Sequence, residues 1–177
     1  MGIQILREHT KMPWANGGGT TFEVARFPQS GDFDWRVSLA EVKEDGPFSV
    51  LPEVDRTLIL LEGVSITLTS TDQVIELKEL EPYSFPGETL FNCTLSAGKV
   101  RDLNIMSRRS KFSSTTKLIG PGAHKIDGSI NTHILICLTG QLQIAGEKLN
   151  SREGAKVTES IEVNSTGKFA HIEFTEL

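Results

Sequence analysis

Metal-binding and redox side chains are scarce in this sequence of 177 residues, which has four histidines and two cysteines. None of His9, His124, His133 and His171 has a partner at a spacing that metal sites use. Cys93 and Cys137 sit in apolar surroundings, Phe91-Asn92-Cys93-Thr94-Leu95 and Ile136-Cys137-Leu138. They read as small buried hydrophobes, and no basic neighbour activates either as a nucleophile. Basic clusters are also missing. The formal charge is -5, and Ser107-Arg108-Arg109-Ser110-Lys111 is too short to offset it. This argues against a nucleic-acid partner, because phosphate binding needs gathered Lys and Arg. Long apolar runs are absent too. Leu58-Ile59-Leu60-Leu61 falls far short of a membrane span, and the first residues carry no apolar signal core. A cytoplasmic protein with reduced thiols and no membrane partner is expected. No long stretch has helical period, and the best short candidate lies near residues 113–118.

What is present is period two. Phe33, Trp35, Val37 and Leu39 alternate with Asp34, Arg36, Ser38 and Ala40. The same alternation runs through Val64, Ile66 and Leu68, through Leu142 and Ile144, and through Ala170, Ile172 and Phe174. Alternation sends successive side chains to opposite faces of a strand. Turn signals such as Gly17-Gly18-Gly19, Asp45-Gly46-Pro47, Glu62-Gly63, Pro86-Gly87 and Gly120-Pro121-Gly122 separate the strands. The expected class is all-β, a sandwich or barrel.

A weak repeat relates Thr57-Leu58-Ile59-Leu60-Leu61-Glu62-Gly63 to Ile134-Leu135-Ile136-Cys137-Leu138-Thr139-Gly140. Repeats imply a repeated structural unit. The Ser-, Thr-, Gly- and Pro-rich stretch from Lys111 to Asp127 is the candidate seam. The division drawn is residues 1–112, which hold the distinctive motifs, and residues 113–177, mainly structural, with strands free to swap between halves.

A strand ending in an apolar-Glu-Gly step and followed by a Pro-Gly turn resembles the cupin barrel. Cupins carry two histidines and a glutamate before that strand and a third histidine after the turn, a donor set suited to a divalent transition metal. Here the first region reads Gly46-Pro47-Phe48-Ser49-Val50-Leu51-Pro52-Glu53-Val54-Asp55-Arg56 and the second Tyr83-Ser84-Phe85-Pro86-Gly87-Glu88, with no histidine in either. His133 falls where a second barrel could use it, but it is read as a hydrogen-bonded or solvated histidine. No metal and no cofactor is expected, and the barrel mouth should present Arg, Asp, Asn and Glu instead.

Four segments resemble the HutD/Ves family in order and spacing. They are Pro13-Trp14-Ala15-Asn16-Gly17-Gly18-Gly19-Thr20-Thr21, Asp34-Trp35-Arg36-Val37-Ser38, Asp45-Gly46-Pro47-Phe48-Ser49 running on to Asp55-Arg56, and Asp102-Leu103-Asn104-Ile105-Met106-Ser107-Arg108-Arg109. The likeness is strong over residues 1–110 and diffuse beyond. One departure is Pro52-Glu53, where the family commonly has Pro-Gly. The resemblance implies a bicupin, two RmlC-like jelly-roll halves packed as one unit. It also implies one of two settings, histidine utilisation with a formylglutamate-type ligand or a stress response.

The motif residues allow competing roles. Asn16 with Gly17, Gly18 and Gly19 forms either a backbone nest for an anion or a tight turn needing positive φ. Trp14 walls a pocket or caps the core. Arg36 lies opposite the Trp35/Val37 face, so it points either into a lumen or to solvent. An arginine fork suits a carboxylate, and Arg56 is the second candidate unless it pairs internally. Asp102 and Asn104 share one strand face, and Asn104 can read an amide or formyl group. The expected ligand-binding set is Trp14, Asn16, Gly18, Arg36, Arg56, Glu88, Asp102 and Asn104. The leading expectation is a binding protein for a small anionic amino-acid-derived metabolite rather than an enzyme. The alternative is a metal-independent isomerase or hydrolase using Glu88 and Asp102 as acid and base. A homodimer stays open.

Overall fold

The computed structural model describes residues 2–128 and 130–177. Their regular structure is entirely strand. The first eleven strands are β1 (Ile3–Leu6), β2 (Thr10–Pro13), β3 (Gly19–Phe27), β4 (Trp35–Val42), β5 (Gly46–Pro47), β6 (Val54–Glu62), β7 (Ser65–Thr69), β8 (Val74–Lys78), β9 (Pro82–Pro86), β10 (Asn92–Leu95) and β11 (Val100–Arg108). They are followed by β12 (Phe112–Ile119), β13 (Gly122–Ile126), β14 (Thr132–Cys137), β15 (Leu142–Ile144), β16 (Glu147–Leu149), β17 (Gly154–Val157), β18 (Ile161–Ser165) and β19 (Phe169–Glu176).

The chain forms two compact units. One is His9–Lys111, and the other joins Phe112–Leu177 with the N-terminal residues up to Glu8. In the first unit a six-stranded sheet, β2-β3-β4-β11-β6-β9, is accompanied by a four-stranded sheet, β5-β10-β7-β8. In the second a five-stranded sheet, β1-β17-β14-β19-β12, is accompanied by a four-stranded one, β13-β18-β15-β16. Each unit thus follows the jelly-roll plan of two antiparallel sheets, and the fold is the all-β bicupin expected. The repeat has a structural counterpart. Both β6 and β14 belong to the larger sheet of their unit, both are followed by a glycine at positive φ (Gly63, 120°; Gly140, 66°), and both then feed a strand of the smaller sheet.

The first unit's core follows from the alternation. Leu58 and Leu60 on β6 pack with Ile66 and Leu68 on β7, Leu77, Phe85, Phe91 and Cys93. Each such fully buried side chain contributes roughly 1.5–3 kcal/mol of burial free energy. The second unit's core gathers Leu135, Cys137, Leu142, Leu149, Val157, Val163 and Phe169. Both cysteines are free and buried.

One expectation is corrected. Residues 113–118 are not helical: they lie in β12, paired with β19 without a break from Phe112↔Glu176 to Ile119↔Phe169. Ser113-Ser114-Thr115-Thr116 resists helix through hydroxyls that compete for the backbone and β-branching at the threonines, and the β19 edge gives every residue a partner. The candidate seam from Lys111 to Asp127 begins where the two units divide and carries the strands β12 and β13. Among the described residues, no helix is long and apolar enough to cross a membrane.

Candidate functional site

The even-numbered residues of β4 and β11 face the interior of the first unit. Arg36, Ser38, Ala40 and Val42 lie beside Met106, Asn104, Asp102 and Val100 in register. The odd-numbered residues, Val37, Leu39, Leu103 and Ile105, are buried on the opposite face. The even face lines a cavity of about 520 Å³, which also takes in Trp14, Asn16 and Phe48. That volume suits a small metabolite.

One end of the cavity is a hydrogen-bonded chain. Arg56, on β6, donates from Nη1 to the Ser49 carbonyl at 3.1 Å and from Nη2 to Asn104 Oδ1 at 2.7 Å. Asn104 Nδ2 donates in turn to Asp102 Oδ1. The guanidinium lies between the rings of Phe48 and Phe85, 5.2 Å from each centroid, where the π faces hold a desolvated cation. Burial lowers the Arg56 pKa, and the nearby Asp102 carboxylate partly restores it. Asp102 is 1% exposed. Its carboxyl is pushed up to about 7 by burial, against the opposing pull of Arg56 and Asn104.

The other end holds Arg36. Its Nε lies 2.7 Å from Glu23 Oε2 without making a hydrogen bond, and Nη2 reaches Met12 Sδ at 3.9 Å. Arg36 is thus ion-paired with Glu23 through Nε, while its terminal nitrogens reach only the Met12 sulfur. Trp14 forms a wall and is fixed by a 2.9 Å hydrogen bond from Nε1 to Thr21 Oγ1.

The triple-glycine segment is a turn joining β2 and β3. Gly17 N–H donates to the Trp14 carbonyl at 3.0 Å, and Gly18 N–H donates to Asn16 Oδ1 at 3.0 Å. Both amides are occupied, so the segment is no anion nest, and Gly18 lies outside the cavity lining. Gly19 is required sterically, since a Cβ there would sit 2.5 Å from the Glu41 carbonyl and 2.8 Å from the Trp14 ring.

Six of the eight expected residues thus come together: Trp14, Asn16, Arg36, Arg56, Asp102 and Asn104. Glu88 does not. It lies among surface charges, accepting from Arg109 at 3.1 Å and from the Glu53 N–H at 2.7 Å. These donors lower its pKa to about 2, so it cannot hold a proton for transfer near neutrality. The expected Glu88–Asp102 acid/base pair is not formed, because each carboxyl is held by other partners.

The HutD family model matches residues 6–171. The chain belongs to the HutD family. Among HutD relatives, Protein Ves of Cronobacter sakazakii is 33% identical over 150 residues, covering 82% of either chain. An uncharacterized 21.2 kDa protein in the hutC 3′ region of Pseudomonas putida is 29% identical over 151 residues, covering 78% of this chain and 80% of that one. The solved structure of HutD from Pseudomonas fluorescens SBW25, in a formate condition, superposes with a TM-score of 0.90 at 27% identity over 99% of both chains. Oxalate decarboxylase of Bacillus subtilis, TM-score 0.63 and 8% identical over 100% of this chain and 79% of that one, shares the fold.

The HutD motif residues divide between cavity and scaffold. Asp34 accepts from Lys111 Nζ at 2.8 Å, and Arg109 Nη2 reaches Asp55 at 2.9 Å, so these tie strand ends on the surface. Sequence reasoning missed Ser38, Thr21, Phe48 and Met106 as cavity residues. Ser38 and Met106 were findable, since they share strand faces with Arg36 and Asn104. Phe48 was not, because its position depends on the loop that brings it over Arg56.

In the second unit, His133 Nδ1 and His171 Nε2 lie 2.9 Å apart across β14 and β19, a pairing that sequence spacing did not reveal. Among the described residues, no three of His, Cys, Asp or Glu gather as a metal site would require.

Proposed function

We propose that this HutD-family chain binds a small anionic amino-acid-derived metabolite in the cavity of its first unit. The observation that carries the reading is Arg36, ion-paired through Nε with Glu23 while its terminal nitrogens meet no oxygen among the described residues, lining a cavity walled by Trp14, Phe48 and Met106 and ended by the Arg56–Asn104–Asp102 chain. Arg36 takes a carboxylate through its fork, and the apolar walls take the methylenes. Arg56, tied to Ser49 and Asn104, acts as a strut that orients Asn104. Asn16 adds polar surface near Trp14.

An N-acylated dicarboxylic amino acid such as N-formyl-L-glutamate fits this chemistry. The Pseudomonas putida relative, named for its place in the hutC 3′ region, supports a role in histidine utilisation, and the Ves relatives leave the stress-response setting open. The reading assigns a cytoplasmic setting, consistent with two free buried cysteines. It assigns no nucleic-acid or membrane partner and no cofactor, and a homodimer is compatible with it.

Titration calorimetry with N-formyl-L-glutamate, urocanate and L-glutamate tests the proposal. Binding of the first is expected, weakened by about 10- to 100-fold in Arg36→Ala, the loss of one charged bidentate contact of about 1.5–3 kcal/mol. If none binds and Arg36→Ala changes nothing measured, the proposal fails. One observation favours catalysis as a second reading: Asp102, raised to about 7, is a buried acid/base at the cavity wall. Turnover of a bound metabolite that Asp102→Asn abolishes would establish it.

A further inference from the structure

We infer that Asp102 sets the selectivity of this cavity: it meets the bound molecule as a carboxylic acid donating a hydrogen bond, so the cavity selects an acceptor-rich anion and takes up a proton with it, in preference to a molecule presenting an ammonium group. The inference rests on the binding reading above and assigns Asp102 its part in it.

Arg56 fixes the orientation of the Asn104 amide. A guanidinium has donors only, so its Nη2 contact at 2.7 Å forces Asn104 to present Oδ1. The amide orientation is thereby fixed, and Nδ2 must face Asp102, where it donates to Oδ1. The second carboxyl oxygen has no partner among the described residues. It is not among the sealed polar atoms either, so it opens on the cavity.

The surroundings of Asp102 supply little else. Its register partners are Ala40 on β4 and Leu60 on β6, neither with a side-chain donor. The charged and titratable groups around it are few. Arg56 on β6 is committed to Ser49 and Asn104. Cys93 on β10 is pushed up to about 12 by burial, with the Asp102 and Asp45 charges adding to it, so it stays a neutral thiol. Arg36 is four positions along β4 from Ala40, about 13 Å at the usual rise per residue. Glu23 on β3 sits beside Arg36 and offsets part of its charge.

An ionised Asp102 would therefore be a buried anion with one amide donor and a shared cation, an arrangement that favours the neutral acid. Burial accordingly raises its pKa to about 7. An anion entering the cavity adds a like charge and draws the proton on, whereas an ammonium group would have to displace it. With Arg36 at one end and a neutral donor at the other, the cavity suits carboxylate and acyl oxygens at both ends of a short chain.

The test has two arms. In the ligand-free protein, ¹³C carboxyl NMR, with the Asp102 resonance assigned through Asp102→Asn, is expected to show titration near 7; titration near the ordinary aspartate value of about 4 overturns the inference. Calorimetry at pH 8, in buffers of different ionisation enthalpy, then measures protons taken up with N-formyl-L-glutamate and L-glutamate. The expected results are uptake approaching one proton with N-formyl-L-glutamate and an affinity falling about tenfold per pH unit above 7.5. At pH 6, where Asp102 keeps its proton, L-glutamate should bind more weakly than N-formyl-L-glutamate and take up no proton. Asp102→Asn should bind N-formyl-L-glutamate with no pH dependence from this source. Binding without proton uptake overturns the inference alone. Failure of every probe to bind overturns the binding reading and the inference with it.

Discussion

Glu53 stands in the left-handed region, φ 62°. A non-glycine residue there crowds its Cβ against backbone, a cost of about 1–2 kcal/mol. The strain is held by the Glu53 N–H on Glu88 at 2.7 Å and by the Arg109 N–H on the Glu53 carbonyl at 2.8 Å. Glycine would keep both backbone contacts and lose only a 3.8 Å approach to Arg108. Glu53→Gly is therefore expected to stabilise by about 0.5–1 kcal/mol, the strain relieved less the added freedom of the unfolded chain. Urea denaturation measures this, and a loss of stability would show that the charge matters more than the backbone. The resemblance read from the sequence marked Pro52-Glu53 as a departure, but only the torsion angle gave it a sign. Glu88 teaches the converse. Its place beside Pro86-Gly87 suggested a site residue, yet what decides its chemistry is Arg109, 21 positions away in the chain.

At the scale of elements, β4 and β11 build the cavity because alternation delivers four side chains from β4 and three from β11 to one face. Legibility in the sequence was greatest here. The pattern Trp35-Arg36-Val37-Ser38 already separated Arg36 from its apolar neighbours, and Asp102 from Leu103, without fixing which face was the interior. The rim loop was less legible. Gly87 lies where a Cβ would come within 2.4 Å of the Leu51 carbonyl and 2.8 Å of the Val54 carbonyl. Its own N–H and carbonyl bond Val54 at 2.6 Å and Leu51 at 2.8 Å. Gly87→Ala must push the Leu51–Val54 loop outward, and with it Leu51 on the cavity wall. The expected cost is about 2–3 kcal/mol, as for overpacking of a well-packed site. It should come with weaker binding of N-formyl-L-glutamate, read by chemical denaturation and calorimetry. Unchanged stability would mean that the loop is free to shift.

At the scale of the whole molecule, the two units place their buried titratable groups to opposite effect. His133 and His171 both have lowered pKa values: burial dominates for each, and His171 is lowered further by His133. A base with a depressed folded pKa is neutral in the fold, while the unfolded chain protonates near its ordinary value of about 6.5. The pair's stabilisation is therefore present above that value and lost as pH falls below it. Asp102 runs the other way. Its folded pKa of about 7 exceeds the ordinary 3.8, so its contribution is complete below 3.8 and lost as pH rises through 7. Thermal unfolding at pH 7.5, 6.5 and 5.5 should separate them. Relative to wild type, His171→Gln is expected to lose less melting temperature between 7.5 and 5.5, a difference of about 2–4 °C for each kcal/mol of linkage removed. Identical pH profiles would show that the pair carries no linkage.

The sequence alone determined the strand alternation, the turns, the repeat and the family, because these depend on residues close in the chain or on motifs in fixed order. It also brought six of eight chosen residues to one place, since strand periodicity fixes which side chains share a face. The tertiary structure decided the rest. Pairing across β6, β11 and β4 set which face was interior. The loop carrying Ser49 and Phe48 turned Arg56 from a free fork into a strut. Surface charges removed Glu88 from the chemistry, and β14 and β19 brought together two histidines 38 positions apart. Burial then moved the Asp102 proton. Desolvation and long-range pairing are sums over neighbours supplied by distant parts of the chain, and no local pattern contains them.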